Sequence, residues 1–351
     1  MSSDFLLYGA YGFVGAEIAR LAVGQGLRPL LAGRDPARVK ALAAELGLEH
    51  QAFRLDDPPA IDRALAEVSL VLHCAGPFIH TYQPIAAACL RLGAHYLDIT
   101  GEISVYAALA ARDAEAPARR VMLLPGVGFD VVPTDCLAAH LQRRLPTATH
   151  LALAFQTSGP ARLPPGTART MLENLPRRTQ VRRDGRLQDA PQPAKTRRID
   201  FGRGPRQAIL LSWGDIFTAY YTTGIPNIED YIVLPENVIA LRRSAGWLLP
   251  ALKLPLARRL LAPLIPSGST PAQRLQTRTH VWGEVTDDHG RVAVSRLHGP
   301  EAGVDWTASA ALGAVVKVLA GQVQPGYQTP ARLFGPDFVL ETEGVTRQDL
   351  D

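Results

Sequence analysis

A chain of 351 residues exceeds one ordinary globular domain and predicts two, each large enough to bury its own core. Its composition, 47% hydrophobic and 20% charged, excludes the disordered and fibrous classes; three cysteines, Cys74, Cys89 and Cys136, without metal-ligand spacing exclude a disulfide framework or zinc site. A net charge of only +4 excludes a polycation, although ten Lys/Arg against three Asp between Arg177 and Arg206 mark one basic stretch.

The N-terminus has no basic stretch ahead of an apolar run, and Phe5 to Tyr8 is too short for a signal-peptide core, so the expected location is the cytoplasm. From there to about residue 125 short apolar runs alternate with helix-like stretches, the β-α-β rhythm of a parallel sheet. The predicted strands are Phe5–Tyr8, Arg28–Ala32, His50–Leu55, Ser69–Cys74, His95–Ile99 and Arg120–Leu124. Asp35 before Pro36, Asp57 before Pro58, and Thr81 each predict a helix N-cap.

After Pro125 the rhythm changes. A helix is expected over Thr134–Leu145, and Thr149–Gln156 alternates apolar and polar residues as a half-exposed antiparallel strand does. Further strands are read at Gln207–Trp213, Phe217–Thr223, Tyr231–Leu234, Thr277–Val285 and Arg291–Leu297, with Asp288-His289-Gly290 turning the last two. The Pro- and Arg-rich segment 159–205 reads as an interruption in which Asp184-Gly185 could turn a small hairpin. Aromatic residues for base stacking are nearly absent there, so a solvated or anion-attracting face is expected and nucleic acid is not. Val238–Ile265 is apolar with five basic residues; it reads first as core or subunit contact, then as an acyl-substrate channel, then as a weak membrane-surface contact. The helix from about Asp305 to Leu319 and the tail through Phe338 to Leu340 are expected to return to the first domain.

Gly9-Ala10-Tyr11-Gly12-Phe13-Val14-Gly15 directly follows the first strand and leads into an Ala/Leu-rich helix. A dinucleotide pyrophosphate requires such a turn, in which backbone N–H groups approach it and the positive helix end lies beneath. The G-x-x-G-x-x-G spacing is commoner where NADP is used. Nineteen residues after Gly15 comes Arg34, where NAD enzymes place an acidic residue against the ribose 2′-hydroxyl; a guanidinium there favours the 2′-phosphate of NADP. Asp35 suits a helix N-cap better than a ribose ligand. Ala75-Gly76-Pro77 after the fourth strand would let a cofactor lie across the sheet edge, or form a turn with no ligand, and His73 before it reads as a packed strand residue.

Asp98 to Glu102 ends the fifth strand, and Gly126 to Asp130, with Asp135, follows the sixth. Their carboxylates could relay a proton or orient a substrate, and equally could cap helices or hold loops. Asp130, Glu102 and Tyr221 are the candidates for substrate or proton handling. No Tyr-x-x-x-Lys, G-x-x-x-x-G-K-[ST], G-x-S-x-G or H-E-x-x-H motif occurs, which sets aside short-chain dehydrogenase, P-loop, serine hydrolase and zinc protease chemistry.

Together, Gly9–Gly15, Ala32-Gly33-Arg34, Ala75–Phe78, Tyr96–Glu102 and Gly126–Pro133 resemble the saccharopine dehydrogenase-like family, in particular its bacterial trans-acting enoyl reductase-like branch. Pro165-Gly166-Thr167, which departs from an expected Gly-Gly-Thr, Trp213-Gly214-Asp215 and Gly326–Pro330 extend the likeness. The resemblance implies an α/β chain: a Rossmann domain with a doubly wound parallel sheet over 1–130, a second α+β domain with a mixed, largely antiparallel sheet over 131–304 for substrate and dimer contacts, and a segment 305–351 returning to the first. It also implies an NADPH-dependent reductase, homodimeric, delivering hydride to a C=C, C=N or C=O group of a small or acyl substrate held between the domains. The alternative is a non-catalytic NADP(H) sensor or scaffold. Cofactor contacts are expected from Gly9, Tyr11, Gly12, Phe13, Val14, Gly15 and Arg34, with Ala75, Gly76 and Pro77 behind them; no metal is expected.

Overall fold

In the computed structural model, which describes residues 3–162, 164–174, 178–245 and 268–350, short apolar runs at the start of the chain become parallel strands, buried by helices on the sheet faces except for the exposed edge strand His50–Ala52. They are β1 (Leu6–Tyr8), β2 (Leu30–Gly33), β3 (His50–Ala52), β4 (Leu70–His73), β5 (His95–Asp98) and β6 (Met122–Leu124). Between them run α1 (Phe13–Gly24), α2 (Pro36–Leu46), α3 (Pro58–Leu65), α4 (Tyr82–Leu92) and α5 (Ile103–Ala110). The Asp35 and Asp57 side chains accept from Arg38 N and Ala60 N, both at 3.1 Å, and cap α2 and α3. Thr81 occupies the N-cap of α4 but makes no capping bond; its hydroxyl donates to Ala75 O at 2.7 Å instead.

The chain divides into two compact units, Met1–Val132 with Gly303–Gly335, and Pro133–Ala302 with Pro336–Asp351. In unit 1 a seventh strand, Gly326–Tyr327, joins the edge beside β6, and the sheet order is that strand, then β6-β5-β4-β1-β2-β3, all parallel. Neighbouring β1 and β4 are separated in sequence by β2 and β3, which sets the topological switch point of a doubly wound Rossmann sheet beside the end of β1.

Unit 2 begins with α6 (Val132–Arg144) and β7 (His150–Ser158), followed by α7 (Pro165–Asn174), β8 (Gln180–Arg183), β9 (Arg186–Asp189), β10 (Thr196–Asp200) and β11 (Pro205–Leu210). Then come α8 (Asp215–Thr223), β12 (Asn227–Val233), α9 (Glu236–Ala245), α10 (Pro271–Leu275), β13 (Arg278–Thr286) and β14 (Val292–Gly299). Unit 1 takes back α11 (Thr307–Leu319) and β15 (Gly326–Tyr327), with α12 (Pro330–Phe334); β16 (Thr346–Leu350) closes unit 2. Sheet order in unit 2 is β10-β11-β12-β7-β13-β14-β16, with the β8–β9 hairpin paired to β12. Among the described strands only β12 and β7 run parallel, so the sheet is mixed. The helix α6 lies on it where Gly283 leaves room: a Cβ there would stand 2.6 Å from Leu141 Cδ1.

Three expectations change. Phe217–Thr223, read as a strand, is helix α8, because Gly224 closes it in the left-handed region at φ +73° and the Thr218 and Thr223 hydroxyls bond back along the helix. The 159–205 interruption holds α7, a hairpin and β10; its turn is Asp184-Gly185, at φ +47° and +74°. The segment expected to return whole at 305–351 splits after Gly335, because Thr346–Leu350 finds an open edge at β14. Of Val238–Ile265, residues 246–265 lie outside the described residues, and the part before them belongs to α9. One described helical stretch, Ala302–Leu319, is long and apolar enough to cross a membrane; Ala308, Ala311, Ala314 and Val315 in it are fully buried, and its helix α11 packs on α1.

Candidate functional site

At the end of β1 the chain turns through Gly9 at φ +84°, a backbone region that glycine enters without strain. A Cβ at Gly9 would stand 2.8 Å from Ala75 N and 2.9 Å from Cys74 C, so the loop after β4 closes on this turn backbone to backbone. Any side chain at Gly15 would collide with Gly9 O. The nearest atom to a Cβ at Gly12 would be Gly9 O at 3.0 Å, so the constraint visible there is the turn itself. Gly9 N and Ala10 N donate to Ala32 O at 2.9 and 3.1 Å, and Gly12 N to Gly9 O at 2.9 Å. Gly12 is the N-cap of α1, and no side chain caps this helix start. The first-turn amides of Phe13, Val14 and Gly15 therefore point from an electropositive helix end without a side-chain acceptor, an arrangement that fits a pyrophosphate.

Across the switch point, β2 ends at Gly33, and Arg34 follows, exposed. No hydrogen bond or ion pair engages its guanidinium among the described residues. Beside it Asp35 is committed to the α2 cap, as the sequence suggested. Tyr11 lies against Gly33, and its hydroxyl accepts from Asp35 N at 3.1 Å. Arg38, which sequence reasoning passed over, stacks its guanidinium 4.5 Å from the Tyr11 ring centroid and donates through Nη2 to Tyr11 O at 3.3 Å. The available signal was a second arginine four residues after Arg34, on the first turn of a capped helix.

The strip Ala75-Gly76-Pro77 is only partly covered, with Gly76 exposed. It is held by Thr81 and by Glu102, whose two oxygens accept from Phe78 N at 2.7 Å and Ile79 N at 3.2 Å. Buried Glu102 is thus a loop-holding group at the sheet edge. His73 is fully buried, with Nε2 2.9 Å from Thr81 Oγ1 and a ring edge-on to Phe78; burial pushes its pKa down to about 3 and keeps it neutral. It is the packed strand residue the sequence suggested.

Buried Asp98 accepts from Tyr96 Oη at 2.7 Å, Thr100 N at 3.0 Å and Gly126 N at 2.9 Å, tying the ends of β5 and β6 together. Burial pushes its pKa up to about 6 despite those donors. Asp130 sits over Gly101, where a Cβ would lie 2.7 Å from Oδ2; burial and the charge of Glu102 push its pKa up to about 7. Glu102 and Asp130 thus come together at the strand ends of unit 1. Tyr221, the third candidate, lies elsewhere, on α8 of unit 2, stacked on Phe217 at 5.0 Å. Asp135 also belongs to unit 2, accepting from Thr222 Oγ1 at 2.6 Å. Among the described residues no group of three or more His, Cys, Asp or Glu could hold a metal ion.

Residues 5–124, spanning β1 through β6, match the family described as the saccharopine dehydrogenase NADP binding domain. Unit 1 carries a saccharopine dehydrogenase NADP-binding domain. A trans-acting enoyl reductase of Mycobacterium leprae is 33% identical over 150 residues, covering 40% of this chain and 36% of the relative. The trans-acting enoyl reductase of Mycobacterium ulcerans is 31% identical over 156 residues, again 40% and 36%. These matches therefore span about a third of the relatives' length. Saccharopine dehydrogenase (L-Glu forming) from Saccharomyces cerevisiae superposes with a TM-score of 0.66 over 100% of both chains at 14% identity, a likeness of fold.

Proposed function

We propose that this chain is an NADPH-dependent reductase that delivers hydride to a C=C, C=N or C=O group of a small or acyl substrate. The observation that carries the reading is the pairing, on one sheet edge, of an uncapped glycine turn with an unengaged arginine where a ribose-binding carboxylate would stand in an NAD enzyme. The mycobacterial relatives, trans-acting enoyl reductases, favour the C=C case. Bound NADPH would bring hydride donation from its nicotinamide ring.

The rest falls to the protein. The backbone of the turn through Gly9, Tyr11, Gly12, Phe13, Val14 and Gly15 holds the pyrophosphate and the Arg34 side chain the 2′-phosphate, while Ala75, Gly76 and Pro77 give a backbone strip across which the ring end can lie. Glu102 keeps that strip in place. Asp130, whose carboxyl exchanges a proton near neutrality, supplies the proton that must accompany hydride when a double bond is saturated.

The test is NADPH oxidation by the purified protein against a panel of enoyl thioesters, imines and aldehydes. Turnover of one class assigns the bond reduced. Tight NADPH binding with no turnover on any class would replace the enzyme by the sensor or scaffold alternative.

A further inference from the structure

Resting on the NADP reading of unit 1, we infer that Tyr11 is the positioning residue of a two-arginine clamp, Arg34 and Arg38, that selects the phosphomonoester of NADP over the free hydroxyl of NAD. Tyr11 belongs to the glycine turn by sequence, yet its side chain reaches the end of β2 and makes three contacts there. The ring covers Gly33, where any Cβ would collide with Cε1. Its hydroxyl accepts from Asp35 N at 3.1 Å, fixing the peptide that follows Arg34. The ring and the Tyr11 carbonyl together hold the Arg38 guanidinium, 4.5 Å from the centroid and 3.3 Å from the oxygen.

One side chain therefore ties the pyrophosphate turn to both cations. Arg38 spends one nitrogen on Tyr11 O, and no other hydrogen bond from its guanidinium occurs among the described residues. The exposed Arg38 guanidinium, its plane already fixed by Tyr11, loses little entropy on binding, and the planar forks of both arginines match a phosphate dianion. Arg54, which also faces Tyr8 with Arg34, is neutralised by a bidentate pair with Asp56 at 2.7 to 3.3 Å and leaves the task to the other two.

The experiment is fluorescence titration of NADPH and NADH, with displacement by adenosine 2′,5′-bisphosphate as a readout independent of activity. Arg38→Ala and Tyr11→Ala should each raise the NADPH Kd by about tenfold or more, the scale of a lost charge-assisted contact, and move NADH by less than about twofold. Adenosine 2′,5′-bisphosphate should weaken in parallel. Tyr11→Phe, which keeps the stacking face, should retain most of the preference. Gly33→Ala, which leaves Tyr11 and Arg38 chemically intact but displaces the ring, should reproduce the loss.

Equal weakening of both dinucleotides by Tyr11→Ala, or an unchanged NADPH to NADH ratio in Arg38→Ala, would overturn the clamp and leave the domain assignment standing. A wild-type protein that binds neither dinucleotide would instead remove the reading on which the clamp rests.

Discussion

Glu102 and Asp130 are neighbouring carboxylates with different fates. Glu102 accepts two backbone amides, and Asp130 is pushed up to about 7 by burial and by Glu102 itself. A carboxyl raised from its ordinary 3.8 binds more protons folded than unfolded between about pH 4 and 7, so its contribution to stability is complete below pH 4 and is lost as pH rises through 7. Asp130→Asn should flatten that fall in a series of thermal melts, and an unchanged slope would show that Asp130 is not the group responsible. His73 acts oppositely: pushed down to about 3, it stabilises fully above its ordinary 6.5, and the benefit is lost as pH falls. Arg34→Ala should weaken NADPH by about tenfold or more and NADH far less; equal losses would defeat the 2′-phosphate assignment. Gly15→Ala forces a methyl into Gly9 O and should destabilise unit 1 by about 1–3 kcal/mol, read from denaturant midpoints.

At the scale of elements, local signals worked where the local chemistry was sufficient. Asp35 and Asp57 cap their helices through hydrogen bonds that span three residues. Either changed to alanine should cost about 1 kcal/mol. Helix α8 shows the opposite case. Phe217-Thr218-Ala219-Tyr220-Tyr221-Thr222-Thr223 has strand-forming side chains, yet Thr218 and Thr223 hydroxyls donate to Gly214 O at 3.5 Å and Ala219 O at 2.6 Å, and Arg182 packs 4.1 Å over the Tyr220 ring. Burial of Ile216, Phe217, Thr218 and Ala219 against unit 2 outweighs a propensity difference of less than about 1 kcal/mol per residue. Gly224→Ala, at φ +73°, should destabilise by about 1 kcal/mol in the same denaturant series. The basic run from Arg177 to Arg206 is spent internally only in part: Arg183 and Lys195 pair with Glu229 and Arg197 with Glu284, while Arg186, Arg198, Arg203 and Arg206 stay exposed as the solvated face read from the sequence. Those glutamates lie outside the run, so composition alone could not show the pairs.

At the scale of the molecule, ligand linkage gives a test that needs no substrate. NADPH at a hundred times its Kd should stabilise the fold that binds it by about 2.7 kcal/mol. Hydrogen exchange should then slow at the amides of residues 9–15 and 33–38, and protection confined to unit 2 would contradict the site. The tail shows what chain order conceals, since β15 joins β6 at Gly326↔Met122 and β16 joins β14 at His298↔Thr346, so consecutive segments serve different units.

The parallel β-α-β rhythm, the helix caps, the glycine turn and the arginine after β2 were legible in the sequence because each depends on residues a few positions apart. The helical state of α8, the division of the tail, the loop-holding task of Glu102 and the seat of Arg38 on Tyr11 were decided only by tertiary structure. Each joins groups distant along the chain, and burial and side-chain geometry that no local pattern encodes set their energies.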